Sequence, residues 1–322
     1  MLITIGAFDG FHRGHAELFR LCRELAGRDS PDDWGVVSFW PHPAEYMHKI
    51  PHTLFSLRER ELIRRVLEIP NMYILEFDEA LRRLSPSEFW RRIRERFGAD
   101  GLVMGRDFHF GLKRAGSAEI LAELAVRDGI DPNRIYIADL LDKPKFSSSV
   151  VRKYLHAGNV KAASEILGYP CFLTGRITSG KHRGRTMHFP TANIDIHGRI
   201  TPAFGVYACA VLVNGEFHCG AVSIGNNPTF HDIHDARFEV HILDFEGDIY
   251  GEELPVFFLG RVRDMHTFPD TEALMRQIAE DTHTCRKIYA EALNVPETWS
   301  FLKRAAEIFT SHNLTPEITR LV

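Results

Sequence analysis

Short apolar runs alternate with helically spaced ones through the first half of the chain. Leu2–Ile5 reads as a strand followed by a glycine-rich turn, and His15–Leu25 has helical spacing. Gly35–Phe39 predicts a second strand and Leu57–Leu67 a helix. Tyr73–Phe77 is a third strand, followed by a helix at Pro86–Phe97 with proline in its first turn. Gly101–Met104, Ser117–Asp128 and Ile135–Ala138 continue the series as strand, helix and strand. Such alternation predicts a parallel sheet covered on both faces.

The rhythm changes after Cys171, where short strands follow one another. Tyr207–Val213 and Phe217–Ser223 flank Asn214-Gly215, a strong hairpin signal. Across Arg237–Phe245, Phe238, Val240 and Ile242 fall on one face, with Arg237, Glu239 and His241 on the other. This spacing predicts a compact antiparallel barrel, closed by a helix at Thr271–Leu293. A boundary near Gly168–Pro170, after a helix at Val160–Leu167, gives domains at 1–168 and 169–293. Residues 294–322 form an extension of unassigned role, with short helices expected at Glu297–Phe309 and Pro316–Leu321.

Composition narrows the function classes. With 322 residues there is room for two cores. A net charge of -4 and no long basic run disfavour nucleic acid as a partner. Five scattered cysteines without a CxxC pair argue against a disulfide framework or a structural zinc site. No run has the length and apolarity of a membrane span. The sequence starts directly on a strand with no basic leader, so the expected compartment is the cytoplasm. Small molecules are the expected partners, and a weak homo-oligomer is left open.

The first candidate site is Gly6-Ala7-Phe8-Asp9-Gly10-Phe11-His12-Arg13-Gly14-His15, between the first strand and the first helix. Ligands of open α/β sheets bind at carboxyl ends of strands. Gly6, Gly10 and Gly14 let backbone approach phosphate, and the following helix points free N–H groups there. His12 and His15 can donate hydrogen bonds to phosphate oxygens as charge develops. The plain alternative is a turn with two solvent-facing histidines. Phe146-Ser147-Ser148-Ser149-Val150-Val151-Arg152 opens another helix with hydroxyls and an arginine suited to phosphate, or simply a helix cap with a surface arginine.

HxGH with SSSxxR resembles the HxGH nucleotidyltransferase superfamily. Phe39-Trp40-Pro41-His42-Pro43 and Gly105-Arg106-Asp107-Phe108-His109-Phe110-Gly111 resemble the FMN adenylyltransferase module of bacterial bifunctional FAD synthetases. The resemblance implies a Rossmann-like first domain in which His12 and His15 act on ATP phosphates. It assigns Gly6, Phe8, Asp9, Gly10, Gly14, Ser148, Ser149 and Arg152 to the nucleotide, and Asp107, Phe108 and Phe110 to the flavin side. Core packing is the commoner fate of such phenylalanines.

The second candidate site begins with a basic loop, Gly180-Lys181-His182-Arg183-Gly184-Arg185, suited to polyphosphate. It leads into Phe189-Pro190-Thr191-Ala192-Asn193, whose Thr and Asn oxygens suit Mg²⁺. These segments resemble the riboflavin kinase PTAN pattern, continued by Gly205-Val206-Tyr207, Pro228-Thr229-Phe230, Glu239-Val240-His241, Asp244-Phe245 and Asp248, Tyr250 and Gly251. By that resemblance Gly180, His182, Gly184 and Arg185 bind ATP, Thr191 and Asn193 hold the metal, Glu239 is the catalytic base and Arg263 binds flavin. A solvent-facing strand carboxylate is the plain alternative for Glu239.

Together the resemblances imply an α/β nucleotidyltransferase domain, then a small antiparallel barrel kinase domain with a C-terminal helix. The implied function is ATP- and Mg²⁺-dependent conversion of riboflavin to FMN, then to FAD with release of pyrophosphate. The alternatives are one retained activity, a non-catalytic flavin-binding regulator, or a generic adenylyltransferase that leaves the second domain unexplained. Departures from the family pattern are the short segment before the first strand, Thr186-Met187-His188 after the basic loop, and Ser149 in place of threonine. The tail after Leu293 falls outside the resemblance.

Overall fold

The computed structural model describes residues 1–322 except 28, 29, 31, 140–145, 179–190, 197, 228–231, 312, 313, 315–317 and 322. Side chains are also left undescribed at 226, 227, 232–237 and 311. The chain divides into two compact units, Met1–Ser148 with Asn313–Val322, and Ser149–His312.

In the first unit, β1 (Leu2–Ile5), β2 (Trp34–Trp40), β3 (Asn71–Glu76), β4 (Gly101–Gly105) and β7 (Ile135–Ala138) form a parallel sheet. The order is β14-β3-β2-β1-β4-β7, with β14 at Ile318–Thr319. The chain runs outward from β1 to β3, then returns to the other side of β1 with β4. The loop after β1 therefore opens at the switch point of the sheet. Helices α1 (Arg13–Ala26), α2 (Pro43–Tyr46), α3 (Leu57–Val66), α4 (Glu79–Arg82), α5 (Pro86–Phe97) and α6 (Ala118–Arg127) connect the strands, and a small ribbon pairs β5 (His109–Phe110) with β6 (Gly116–Ser117).

Local chemistry sets several helix ends. Ser56 with Glu59 and Ser85 with Glu88 form reciprocal capping boxes at the starts of α3 and α5. Gly98 closes α5 in the left-handed conformation. The six buried residues that open β2 reflect a parallel strand covered on both faces. One core joins Ile3, Val37, Leu75, Trp90, Leu102 and Leu121.

The second unit holds a closed barrel in the order β10-β11-β12-β9-β8-β13. Its strands are β8 (Phe172–Thr178), β9 (Ala192–Ile194), β10 (Gly205–Val213), β11 (Glu216–Asn227), β12 (Asp232–Ile242) and β13 (Glu253–Arg263), all paired antiparallel. Asn214 and Gly215 both take positive φ, 51° and 84°, as the two-residue turn between β10 and β11 requires. Helices α7 (Ser148–His156), α8 (Val160–Leu167), α9 (Thr271–Leu293) and α10 (Pro296–Ser311) complete the set.

Strands β10 and β12 show how covering decides pattern. All nine residues of β10 are buried, because one face lines the barrel while Ala208 on the other packs against Cys285 of α9. On β12, Phe238, Val240 and Ile242 are buried, whereas Glu239 and His241 are half-buried. The helix expected at Pro316–Leu321 is not formed at Ile318–Thr319, which pair parallel with β3 instead. Two adjacent β-branched residues favour extended chain, and the edge of β3 offers ladder partners that six residues of isolated helix could not match.

Candidate active sites

In the first unit, β1 delivers the chain into a loop that ends at His12, the residue preceding α1. No side chain caps α1 and its first turn holds no acidic residue; the His15 N–H donates to the His12 carbonyl at 2.7 Å, and the positive dipole end of the helix suits an anion. The His12 and His15 rings stack with centroids 3.7 Å apart and planes at 18°. Neither histidine faces solvent freely: His12 is buried, His15 half-buried, and the Nδ1 atoms of both are buried without a hydrogen-bond partner. Burial lowers the His12 pKa to about 4, opposed by the charges of Asp9 and Asp107. Burial, and then the proximity of His12, hold His15 well below its ordinary value. Two stacked imidazoles with buried, unpartnered Nδ1 atoms are costly in isolation and suited to an anion that would stabilise their charged forms.

The glycines serve this pair indirectly. A Cβ on Gly14 would lie 3.1 Å from His12 Nδ1 and 3.1 Å from the Phe146 carbonyl oxygen, and one on Gly6 would lie 3.0 Å from the Phe8 ring. Positive φ falls instead on Phe8 and Phe11, at 40° and 41°. Their rings, both buried, pack against Phe19, and the edge of Phe8 meets His15 at 4.9 Å. Phe8 thus supports His15 with its side chain. Asp9 is buried, paired with Arg60 at 3.2 Å, and accepts the Leu54 N–H at 3.0 Å. It shapes the loop from beneath.

Asp107, Phe108 and Phe110 follow β4. Asp107 is exposed and close enough to raise the proton affinity of His12. Phe108 is half-buried and stacks on Phe110 at 5.4 Å, while Phe110 belongs to the core against Phe89. Half-exposed Phe108 can meet a ligand, with Phe110 behind it. Ser148 opens α7, two residues after the Phe146 carbonyl that abuts Gly14. Ser149, exposed, and Arg152, half-buried, lie in the second unit.

In the second unit, strand register assembles the site. Asn193 on β9 pairs directly with Glu239 on β12, and Glu239 with Ser223 on β11. Directly paired residues present side chains on the same face, with Cβ atoms roughly 4.5–5.5 Å apart. Asn193, Glu239 and Ser223 therefore form a half-buried polar row on the outside of the barrel, opposite the face of buried Phe238 and Val240. Thr191, also half-buried, sits two residues before Asn193. The Asn193 carbonyl accepts from the Thr178 hydroxyl at 3.4 Å. The row continues through Val206 to Arg263. Arg263 is clamped by Asp281 of α9 at 2.8–3.0 Å and lies over the Phe268 ring, so it anchors α9 beside the row. Gly180, His182, Gly184 and Arg185 lie outside the described residues, as do Pro228-Thr229-Phe230 and Thr186-Met187-His188.

Sequence reasoning missed Arg60 and Asp281. Arg60 is fully buried and lies over the Trp40 ring at 5.4 Å; its position in a helix rich in charge conceals this. Asp281 is marked only by its one-turn spacing from Gln277, which donates to it at 3.0 Å.

Residues 1–149 match the FAD synthetase family model and residues 167–289 the riboflavin kinase family model. A relative from Listeria monocytogenes, named a bifunctional riboflavin kinase/FMN adenylyltransferase, is 33% identical, covering 90% of this chain and 93% of its own length. Relatives of the same name from Pseudomonas fluorescens and Escherichia coli are 35% and 34% identical, each covering 89% of this chain and 92% of its own length. The crystal structure of a macrolide-efflux protein from Streptococcus pneumoniae matches with a TM-score of 0.77 at 32% identity, covering 88% of this chain and 93% of that one. Among the described residues no helix is long and apolar enough to cross a membrane. With both catalytic domains in the same order and near-complete coverage of its relatives, the chain belongs to the bifunctional riboflavin kinase/FMN adenylyltransferase family.

Proposed function

We propose that the barrel unit phosphorylates riboflavin to FMN with ATP, and that the first unit transfers an adenylyl group from a second ATP onto FMN, giving FAD and pyrophosphate. The observation that carries the first-unit reading is the stacked pair of histidines with buried, unpartnered Nδ1 atoms at the sheet's switch point. The FMN phosphate is itself the nucleophile towards the α-phosphorus, so no covalent enzyme intermediate is needed. His12 and His15 stabilise charge on the phosphate oxygens, and the open end of α1 adds its dipole. Asp107 and Phe108 stand on the flavin side. Ser148, Ser149 and Arg152 are assigned to the nucleotide.

In the barrel, Glu239 takes the proton from the riboflavin 5′-hydroxyl as that oxygen attacks the γ-phosphorus. ADP leaves. The register that sets Glu239 between Asn193 and Ser223 supports this role. Thr191 and Asn193 offer oxygen donors, the chemistry a hard cation requires. Among the described residues no group of three or more His, Cys, Asp or Glu could hold a metal. Mg²⁺ would be held by Thr191 and Asn193 together with the ATP phosphates, whose charge it would neutralise. Tight Mg²⁺ binding to nucleotide-free protein by calorimetry would contradict this. Gly180, His182, Gly184 and Arg185 are the expected phosphate loop.

The test is incubation of the purified chain with riboflavin, ATP and Mg²⁺, followed by separation of the flavins. FMN should appear first and FAD after it. Persistence of riboflavin alone would overturn the kinase assignment, and accumulation of FMN without FAD the adenylyltransferase assignment.

A further inference from the structure

The C-terminal tail lies beyond both family matches, yet the structure makes it part of the first unit. Ile318 and Thr319 pair in parallel with Ile74 and Leu75 at the edge of the sheet. Leu314 is fully buried, Leu321 packs on the first unit's core, and the Leu321 carbonyl accepts a hydrogen bond from Arg92 at 2.5 Å. Arg320 pairs with Glu76, the last residue of β3.

This strand borders an open pocket. Ile318 and Arg320 line a cavity of about 430 Å³ together with Trp40, Pro41 and Glu76. The volume falls within the range of small-molecule sites. Trp40 and Glu76 end β2 and β3, so the cavity opens at the carboxyl edge of the sheet, where α/β ligands bind. The walls are an indole ring, a proline and an isoleucine, with one ion pair at the rim. That lining suits a flat heteroaromatic ring more than a phosphate. The cavity is tied to the histidine loop, because Arg60 covers the Trp40 ring and pairs with Asp9.

We propose that the C-terminal strand completes a ring-binding pocket of the adenylyltransferase site, with Ile318 and Arg320 as specificity residues that position the heteroaromatic ring of one of its two nucleotide substrates. The inference rests on the adenylyl-transfer reading given above. Flavin and adenine share the required chemistry, and the two substrates separate them.

Ile318 is 43% exposed, so its substitution disturbs little core. Ile318→Trp should fill the cavity and Ile318→Ala should widen it. KM for FMN and for ATP are measured separately in FAD formation, with riboflavin phosphorylation assayed in the same preparations. Each variant should raise one KM about tenfold while kcat, the other KM and the kinase rate stay near parent values. A rise for FMN assigns the pocket to the flavin ring, and a rise for ATP to adenine. Unchanged constants in both folded variants, an equal rise in both, or a fall in kcat alone would overturn the pocket. A parent that makes no FAD from FMN would instead refute the reading beneath it; calorimetric titration of the parent and Ile318→Trp with FMN and with ATP then decides the pocket, through loss of one ligand's binding or of neither.

Discussion

The loop after β1 and the outer face of the barrel are built in opposite ways. In the loop, two non-glycine residues adopt positive φ and two imidazoles are stacked with their Nδ1 atoms buried and unpartnered. On the barrel, Asn193, Glu239 and Ser223 stand in ordinary antiparallel register, half-exposed. On the proposed reading an anion completes the first arrangement. The second needs no strain, because ladder geometry alone aligns its side chains. The difference matches the chemistries proposed for them: charge stabilisation between two phosphates in one site, removal of a hydroxyl proton in the other.

The sharpest way to break the comparison is to remove the proton acceptor. Glu239→Gln keeps the shape of the row and should slow riboflavin phosphorylation by about 10²–10⁴, measured as FMN formation under saturating ATP. A near-parent rate would return Glu239 to a solvent-facing strand carboxylate. For the loop, His12→Ala should slow FAD formation on the order of a hundredfold or more, with FMN affinity changed far less. Loss of affinity with intact turnover would reduce His12 to a binding residue.

Two further predictions concern how each site is held. Asp281→Asn unclamps Arg263 and leaves it without its carboxylate. Because the pair is mostly buried, the loss should be on the order of 3 kcal/mol, read as a lower midpoint in thermal unfolding. An unchanged midpoint would show that α9 is held by its apolar contacts alone. For the loop, the handle is pH. The His12 ring titrates near 4 when folded against 6.5 ordinarily. As pH falls below about 6.5 the unfolded chain binds a proton that the native state refuses, so stability drops until about pH 4 and levels off below it, by at most about 3 kcal/mol. Thermal unfolding of His12→Gln across that window should show a shallower decline, whereas parallel curves would remove His12 as the cause. The smallest effect is expected at the barrel's turn. Gly215→Ala, at a φ of 84°, should cost about 1 kcal/mol and leave both reactions unchanged.

Much of this was legible in the sequence where the signal is local. The Asn214-Gly215 turn, the alternation at Phe238–Ile242 and the Ser85–Glu88 cap each declare themselves within a few residues. The histidine pair was legible as a motif, but its burial was not, because Phe8, Phe11 and Phe19 enclose it only after the loop folds back. Gly14, read as room for phosphate, also leaves room for the His12 ring, which no spacing shows. Long-range contacts hid the rest. Arg60 gains its role from Asp9, fifty-one residues away, and the strand at Ile318–Thr319 exists only because β3 has a free edge. Ala208 of β10 meets Cys285 of α9 seventy-seven residues later, so no local window of sequence shows why β10 is buried throughout.

The central claim is that the two proposed reactions can be lost independently by mutation. Glu239→Gln and His15→Ala test it together, each started once from riboflavin and once from FMN, with the flavins separated at fixed times. The account predicts that Glu239→Gln leaves riboflavin unconverted yet turns supplied FMN into FAD at close to the parent rate, while His15→Ala accumulates FMN from riboflavin and makes little FAD from either. If Glu239→Gln abolished both conversions while retaining the parent circular dichroism spectrum, the two sites would not be independent and the account would be wrong.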